Sequence, residues 1–523
     1  MKLKVIVGLS LALIGFQAQA ATYAVKASGG GNYTTIQACA TVAVAGDTCV
    51  VYAGTYNETV SPAHSGTAGN PITFSVNPGD CVAVTGFSLG TRNYVTIGTP
   101  GSAYCTNGSY TYSGFELLGQ TSWTLINNVI FQNNYAHSSA GPCFKAPSGT
   151  GSGSSSYDYF LNNIVTACGG LGATLTAGLQ IEGDHWLVDG NTFSHLQSAI
   201  QIYCSYCVVR NNHFGPLAAS DLTTQHSQPI ESSCAGDFPL VHMLYENNVL
   251  QEWRGANSHG FLLRDTEKCG QTANIIRLST HIDSGSYFAV LSDSSTNEHI
   301  YNMSISNTQL DVGTKDLEDI SFYTASTGGV VINNLITNTT QVGSSGYCVA
   351  VGSDSITGFV EHHNLCFNTG WTGPWQQPYS GYTYATTDIF NHDPVFIGAT
   401  TDLRLQPNSG AIGTGGPLTT AVGAGSGSTT LTVADAGFFS YGFGITNVQP
   451  DWIRIGSSTT VQISSINYAT NVITLASAVS WNNGDPVYLY KNSMGAVVLT
   501  GAAPNIGASQ GPATPVQQSP VVR

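Results

Sequence analysis

Charge is what this chain has least of. Only 9% of its 523 residues are Asp, Glu, Lys or Arg, and 15 basic residues face 30 acidic ones, for a formal charge of -15. That balance excludes bulk electrostatic attraction to nucleic acid or to an anionic membrane. It also sets a polyanionic partner against repulsion unless a local basic patch or a bound cation intervenes. Helical periodicity is equally scarce: one amphipathic run, Thr35 to Val44, is too little for a helical bundle or an alternating α/β architecture. After residue 20 no apolar stretch is long enough to cross a bilayer, so no membrane insertion is expected. No cysteine follows Cys366, which confines any disulfide framework to the chain before it.

What is present is turn-rich and aromatic, with 60 Gly and 25 Tyr, a mixture that suits many short strands. The run from Leu161 to Phe214 repeats one unit almost three times. LNNIV, VDGNTF and RNNHF bring Asn163, Asn191 and Asn212 to equivalent points, while LQIEGD and IQIYCS do the same for Ile181 and Ile202. A unit this small closes a core only when stacked on copies of itself, which is the logic of a solenoid. Similar units recur at intervals of 21 to 36 residues between Asn93 and Thr357, so the strands keep their length while the loops vary. Asn128, Asn163, Asn191, Asn212, Asn248, Asn334 and Asn364 are expected to stack as a ladder of amides hydrogen-bonded along the column.

Met1 to Ala20 has a basic start (Lys2, Lys4), the apolar run VIVGLSLALIGF and a small-residue exit, and is expected to be a secretory signal. The mature protein is then secreted or extracytoplasmic. In that setting twelve Cys, an even number, favour disulfides over zinc. Cys39 with Cys49 and Cys204 with Cys234 are the expected pairs. The spacing of Cys204 and Cys207 is read as structural, because no second close pair completes a zinc set.

A stacked β structure needs a cover for its first rung, and the Thr35 to Val44 helix, with Ile36, Cys39 and Val42 on one face, supplies one. Here TTIQACA followed by GDTCVVYAGTYNETV, and then GTAGNPITFSVNPGD, resembles the start of pectate-lyase-like right-handed parallel β-helix proteins. NHDPVFIGATTDLRLQPNSGAIGTG and PNIGASQ resemble their closing segments, here held far apart. The resemblance implies an all-β chain: a right-handed parallel β-helix solenoid over 21–416 with an N-terminal cap helix. Alternating runs such as STTLTVADA and TTVQISSIN predict a small inserted β domain over 417–499. Residues 500–510 then close the helix, and 511–523 form a disordered Pro/Gln tail.

Strand alternation places Leu179, Ile181, Ile200, Ile202, Ile230, Phe261, Leu263, Phe288, Val290, Ile320 and Phe322 inward. One outward row is then Gln180, Gln201, Glu231, Leu262, Ala289 and Ser321. The next is Glu182, Tyr203, Ser233, Arg264, Leu291 and Tyr323, with Lys145 facing out on an earlier rung. Carboxylates, amides, an arginine and tyrosines on a flat sheet are groups that hold a sugar chain, and the resemblance implies polysaccharide as the partner on this face. His226, Gln228 and His259 precede two of these strands, and Arg277 and Asp283 lie on the next turn.

Two chemistries fit such a set. In β-elimination on a uronic acid, Arg264, Lys145, His226 or His259 would be the base, and Glu182, Asp184 and Glu231 would ligate Ca²⁺. In hydrolysis, Glu182 and Glu231 would be the carboxylate pair. The chain carries no counterpart of the Lys and Arg motifs typical of alginate lyases and chondroitinase B, nor of the Asp cluster that holds Ca²⁺ in pectate lyases. A polysaccharide lyase is the leading expectation, with a glycoside hydrolase as the second choice. A non-catalytic adhesin or surface glycan-binding protein is the alternative, needing the aromatic and amide positions but not the acids. Structural roles compete at several points: Asp184, Asp265, Asp293 and Asp354 as turn caps ending one column, Arg264 as the cross-rung partner of Glu231, and His185 as a packed or capping residue.

Overall fold

The computed structural model describes residues 19–146, 155–169, 177–217, 227–233, 240–254, 259–264, 272–285, 288–308, 310, 317–337, 346–352, 354–367, 385–398 and 401–510. Among these residues three parallel sheets stack strand on strand. Sheet one has thirteen strands, from Thr22–Val25 to Val360–His362, and sheet two has thirteen, from Gly54–Val60 to Ile389–Phe390. Sheet three has ten, from Thr121–Ser122 to Gly346–Val351. One turn visits each in order: Tyr159–Leu161, Ile164–Thr166 and Ala177–Asp184, before Leu187–Asp189 returns to sheet one. Parallel strands joined this way wind right-handed, as the sequence predicts.

Register explains the core. Phe131 lies opposite Phe160, Phe160 opposite Val188, and Val188 opposite Val209, and all four are fully buried. Each such side chain contributes about 1.5–3 kcal/mol by leaving water. No single rung holds enough of them to stand alone, so stability accrues by stacking.

The amide ladder forms at the turn from sheet one to sheet two, but it begins at Asn134. Asn134 donates to Asn163, Asn163 to Asn191, Asn191 to Asn212 and Asn212 to Asn248 through both backbone and side-chain N–H groups. Ser279 replaces the amide above Asn248, and the column resumes from Asn334 to Asn364 and Asp388. Asn128 is not a member. It occupies a left-handed position (φ 56°) at the other end of its strand, and the neighbouring Asn133–Asn134 doublet supplies the ladder turn.

The cap helix spans Ile36–Val42, with Thr35 accepting a hydrogen bond from the Ala38 N–H. Its buried face is Ile36, Cys39, Ala40 and Ala43, whereas Val42 is 42% exposed. Six residues advance a helix by about 600°, which carries Val42 well off the face that Ile36 starts. Cys39 bonds Cys49 as expected. Cys204 bonds its near neighbour Cys207, both buried, so the expected link to Cys234 does not form; Cys234 itself lies outside the described residues. Bonds also join Cys81 to Cys105, Cys143 to Cys168 and Cys348 to Cys366, a set that fits an oxidising compartment. Among the described residues no helix is long and apolar enough to cross a membrane.

A closed six-stranded barrel runs from Thr419–Val422 to Pro486–Lys491, and the chain leaves and rejoins the β-helix at one point, where the Gly415 N–H donates to the Pro504 carbonyl (2.9 Å). Its apolar residues, Phe438, Phe439 and Ile453 among them, share a cluster with Leu187, Val208, Leu244 and Ile275 of sheet one. Arg277 sits at the centre of this junction, fully buried. Its guanidinium donates to both Asp451 oxygens at 2.7 Å, to Glu246 at 3.0 Å and to the Tyr301 hydroxyl at 3.0 Å. Arg277 therefore fastens the barrel and plays no part in a surface site, contrary to its placement from sequence.

Buried titratable groups set a pH profile. Burial pushes Glu298 up to about 8 and Asp388, beside Glu361, up to about 9, and raises Asp158 as well. These acids favour the folded state fully below their unfolded pKa, and that contribution is lost as pH rises through the folded values. Burial pushes His242 and His362 down to about 4 and His281 down to about 3. Their contribution is complete above the unfolded value of about 6.5 and is lost as pH falls below it. Thermal unfolding should therefore show a maximum between about pH 4.5 and 6.5 and fall on both sides. Glu298→Gln should flatten the alkaline limb, and a midpoint that climbs from pH 6.5 to 9 would contradict this assignment.

Candidate functional site

Sheet three carries the longest strands of the three parallel sheets, and its long strands share one bend. At the bend the residues aligned as Gly178, Ala199, Gly260 and Ala289 turn inward together with the residue that follows. A Cβ on Gly178 would lie 2.7 Å from Leu196 and 3.0 Å from Val165, and one on Gly260 would lie 2.7 Å from the buried His281 ring. Two consecutive inward residues reverse the alternation on one side of the bend. Strict alternation, which puts Phe288 inside, fails there: Phe288 is partly exposed, stacked on His259 (5.4 Å between centroids) and edge-on to Tyr323 (5.9 Å). The other ten residues predicted to point inward are buried.

The outward face thus has three rows. The first is Ser198, Gln228, His259 and Phe288, with Gln228 Nε2 3.4 Å from His259 Nδ1 and both residues largely buried. The second is Gln180, Gln201, Glu231, Leu262, Leu291 and Ser321. Phe144 lies opposite Leu179, which brings the exposed Lys145 beside Gln180. The third row contains Glu182 and Tyr203, and, on later rungs, Arg264, Asp293 and Tyr323. Leu291 therefore belongs with Leu262 and not with Arg264, and Ala289 is a bend residue.

Within the second row the Gln201 amide donates to Glu231 (3.3 Å), and Glu231 is partly exposed. Glu182 is only 3% exposed. The two acids are two residues along the strand and two rungs apart, roughly 12 Å between Cα positions, so a hydrolytic pair would need both side chains to lean together. Arg264 does not pair with Glu231. Its Nε donates to Asp293 at 3.1 Å on the next rung. Asp293 was expected to end a column with Asp184, but Asp184 lies opposite Ser205 whereas Asp293 lies opposite Arg264 and Tyr323, so these Asp residues do not stack. His226 and Asp265 lie outside the described residues.

The donor set does not fit Ca²⁺. Asp184 Oδ1 is 2.6 Å from His185 Nδ1, and between Glu182 and Asp184 stands Gly183 at φ 124°, where a Cβ would sit 2.0 Å from the Ser155 carbonyl oxygen. Glu231 lies two rungs from Glu182, and Asp184 is engaged by His185, so the three carboxylates expected to hold the ion do not converge. Among the described residues no three His, Cys, Asp or Glu side chains group as a metal site would require. His185 stacks between Tyr157 (4.6 Å) and Tyr206 (5.6 Å), the packing role expected of it.

Sequence reasoning missed Asp293 as the partner of Arg264, and the first outward row as a row. The recurrence of small residues at equivalent points of successive strands was the available signal for the bend. It also missed a groove of about 620 Å³ over sheet two, lined in part by Tyr110, His195 and His213. No motif marked it, because a long turn insertion builds it.

No protein-family model matches the chain, and no curated protein sequence matches it. Among solved structures the chain is similar to XylC in complex with xylose: 11% identity, 94% of this chain, 98% of that one, TM-score 0.40. It is similar also to pectate lyase Pel9A, with 14% identity over 76% of this chain and 92% of that one, TM-score 0.38. A third is an alginate lyase from Paenibacillus sp. str. FPU-7, with 11% identity over 71% of this chain and 98% of that one, TM-score 0.33. Three parallel sheets wound in register, with an amide ladder at one corner and a helix over the first rung, give this chain a pectate-lyase-like right-handed parallel β-helix fold.

Proposed function

We propose that this is an exported carbohydrate-active protein that holds a polysaccharide across the outward face of sheet three and cleaves it there. Glu231, held by Gln201, is the central acid–base group. The observation that carries the reading is the continuous lane of Gln180, Gln201 and Glu231 beside Glu182 and Tyr203, amides and a ring flanking a partly exposed carboxylate. Lys145 and Gln228 extend the lane, and Tyr323 closes its far end. With Arg264 engaged by Asp293, the acids on this face outnumber the cations available to neutralise a uronate, which favours a neutral glycan and hydrolysis over β-elimination. A second reading, a glycan-binding protein without catalysis, is favoured by one feature: among the described residues, the burial of Glu182 leaves Glu231 without an accessible carboxylate of similar standing.

Reducing ends and the ultraviolet absorbance of unsaturated ends, followed together on pectate, alginate, glycosaminoglycans and neutral glycans, separate these outcomes. Reducing ends without absorbance are expected, unaffected by EDTA. Glu231→Gln should slow their release by at least ~100-fold while glycan binding persists. Absorbance would sink the hydrolytic assignment. Binding without product in either channel would establish the second reading.

A further inference from the structure

The groove over sheet two is a constructed feature. The turn between Val95–Ile97 of sheet one and Glu116–Leu117 of sheet two is expanded into a hairpin, Cys105–Asn107 paired with Tyr110–Tyr112, that folds over the sheet. A disulfide ties it to Cys81, and Tyr110 Oη lies 2.7 Å from Ser194 Oγ three rungs along. The Tyr110 and Tyr112 rings pack on Tyr135 at 5.3 and 5.2 Å. The space it overhangs, about 620 Å³, is within the range of small-molecule sites.

Its lining selects the chemistry. Asn162, Ile164, Thr192, His195 and His213 present amide, aliphatic, hydroxyl and imidazole groups below the hairpin, and among the described residues no Asp, Glu, Lys or Arg lines it. An extended peptide cannot add to the strands beneath, because Ile164–Thr166 and Thr192–Ser194 are already paired on both edges. His213, on the next strand, is half-buried in the groove wall, with its Nε2 covered by the protein and bonded to no protein atom. Burial also lowers the His213 pKa, so the ring is neutral near pH 7 and able either to donate or to accept.

We propose that this groove is a second binding site, for a neutral oligosaccharide, with His213 and Thr192 meeting sugar hydroxyls and Ile164 and Tyr110 meeting the apolar edge of a ring. The site lies on a different sheet from the cleavage face and does not depend on it. It would hold one part of a chain while another part is processed.

Calorimetric titration of the Glu231→Gln protein, which keeps the probe intact, with cellohexaose, xylohexaose, mannohexaose and maltohexaose tests this. His213→Ala and Thr192→Trp, the second filling the groove from an outward position, should each remove one site from the count or weaken it at least tenfold. Gln201→Ala combined with Tyr203→Ala should leave that site in place. If the sheet-three reading alone is wrong, the parent shows a single site that the groove variants abolish. An unchanged count and affinity in both groove variants, or no binding of any hexasaccharide to the parent, would overturn the proposal.

Discussion

Arg277→Met is expected to destabilise the protein by about 3–5 kcal/mol and to free the barrel from the β-helix. The substitution keeps most of the side-chain volume, so the loss is electrostatic. Glu246 and Asp451, both fully buried, would be left facing each other without their shared cation. Tyr301 would keep its bond to the Phe438 carbonyl (2.7 Å) but lose the guanidinium that donates to it. Removing an acid along with the arginine should recover part of the loss, because the pair is expensive to break yet contributes little over an apolar replacement. Denaturant unfolding monitored through Trp452 and Trp481 of the barrel, beside a whole-chain probe, reads both effects. Coincident transitions with a loss below about 1 kcal/mol would show that the junction rests on its apolar contacts.

Asn191→Ala is expected to cost about 2–4 kcal/mol, because several buried partners go unmet together. Its Nδ2 donates to the Phe160 carbonyl at 2.8 Å, and its Oδ1 accepts from the backbone N–H and side chain of Asn163 at 2.7 and 3.2 Å. Nothing else in the column can reach the orphaned groups, since each amide is already committed to its neighbours. Asn128→Gly, at a left-handed position that glycine adopts readily, should change stability by less than about 0.5 kcal/mol. Equal losses in the two variants, measured by denaturant unfolding, would show that membership of the ladder carries no special weight.

The contrast between Asn128 and Asn191 shows what the sequence can and cannot convey. Period and residue type are visible, so the solenoid, the cap helix and most of the inward stack are legible from spacing alone. Phase is weaker information. Where two Asn doublets flank one strand, as at Asn127–Asn128 and Asn133–Asn134, composition does not say which doublet turns inward. The same limit governs the site. Alternation counts faithfully until a strand bends, and the bend at Ala289 moved Leu291 one row from where counting put it and set Asp293 against Arg264. Long-range placement was not legible at all. Arg277 reads as a polar residue near a turn until the barrel, more than 170 positions away, closes over it with Asp451.

The central claim is that glycan lies across sheet three, and hydrogen–deuterium exchange with a bound, uncleaved glycan on the Glu231→Gln protein tests it most directly. Added protection is predicted in Ala177–Asp184, Ser198–Ser205, Gln228–Ser233 and His259–Arg264, the strands that carry the three outward rows. Protection confined to sheet two around Thr192–Ser194 and His213–Phe214, with those four strands unchanged, would contradict it.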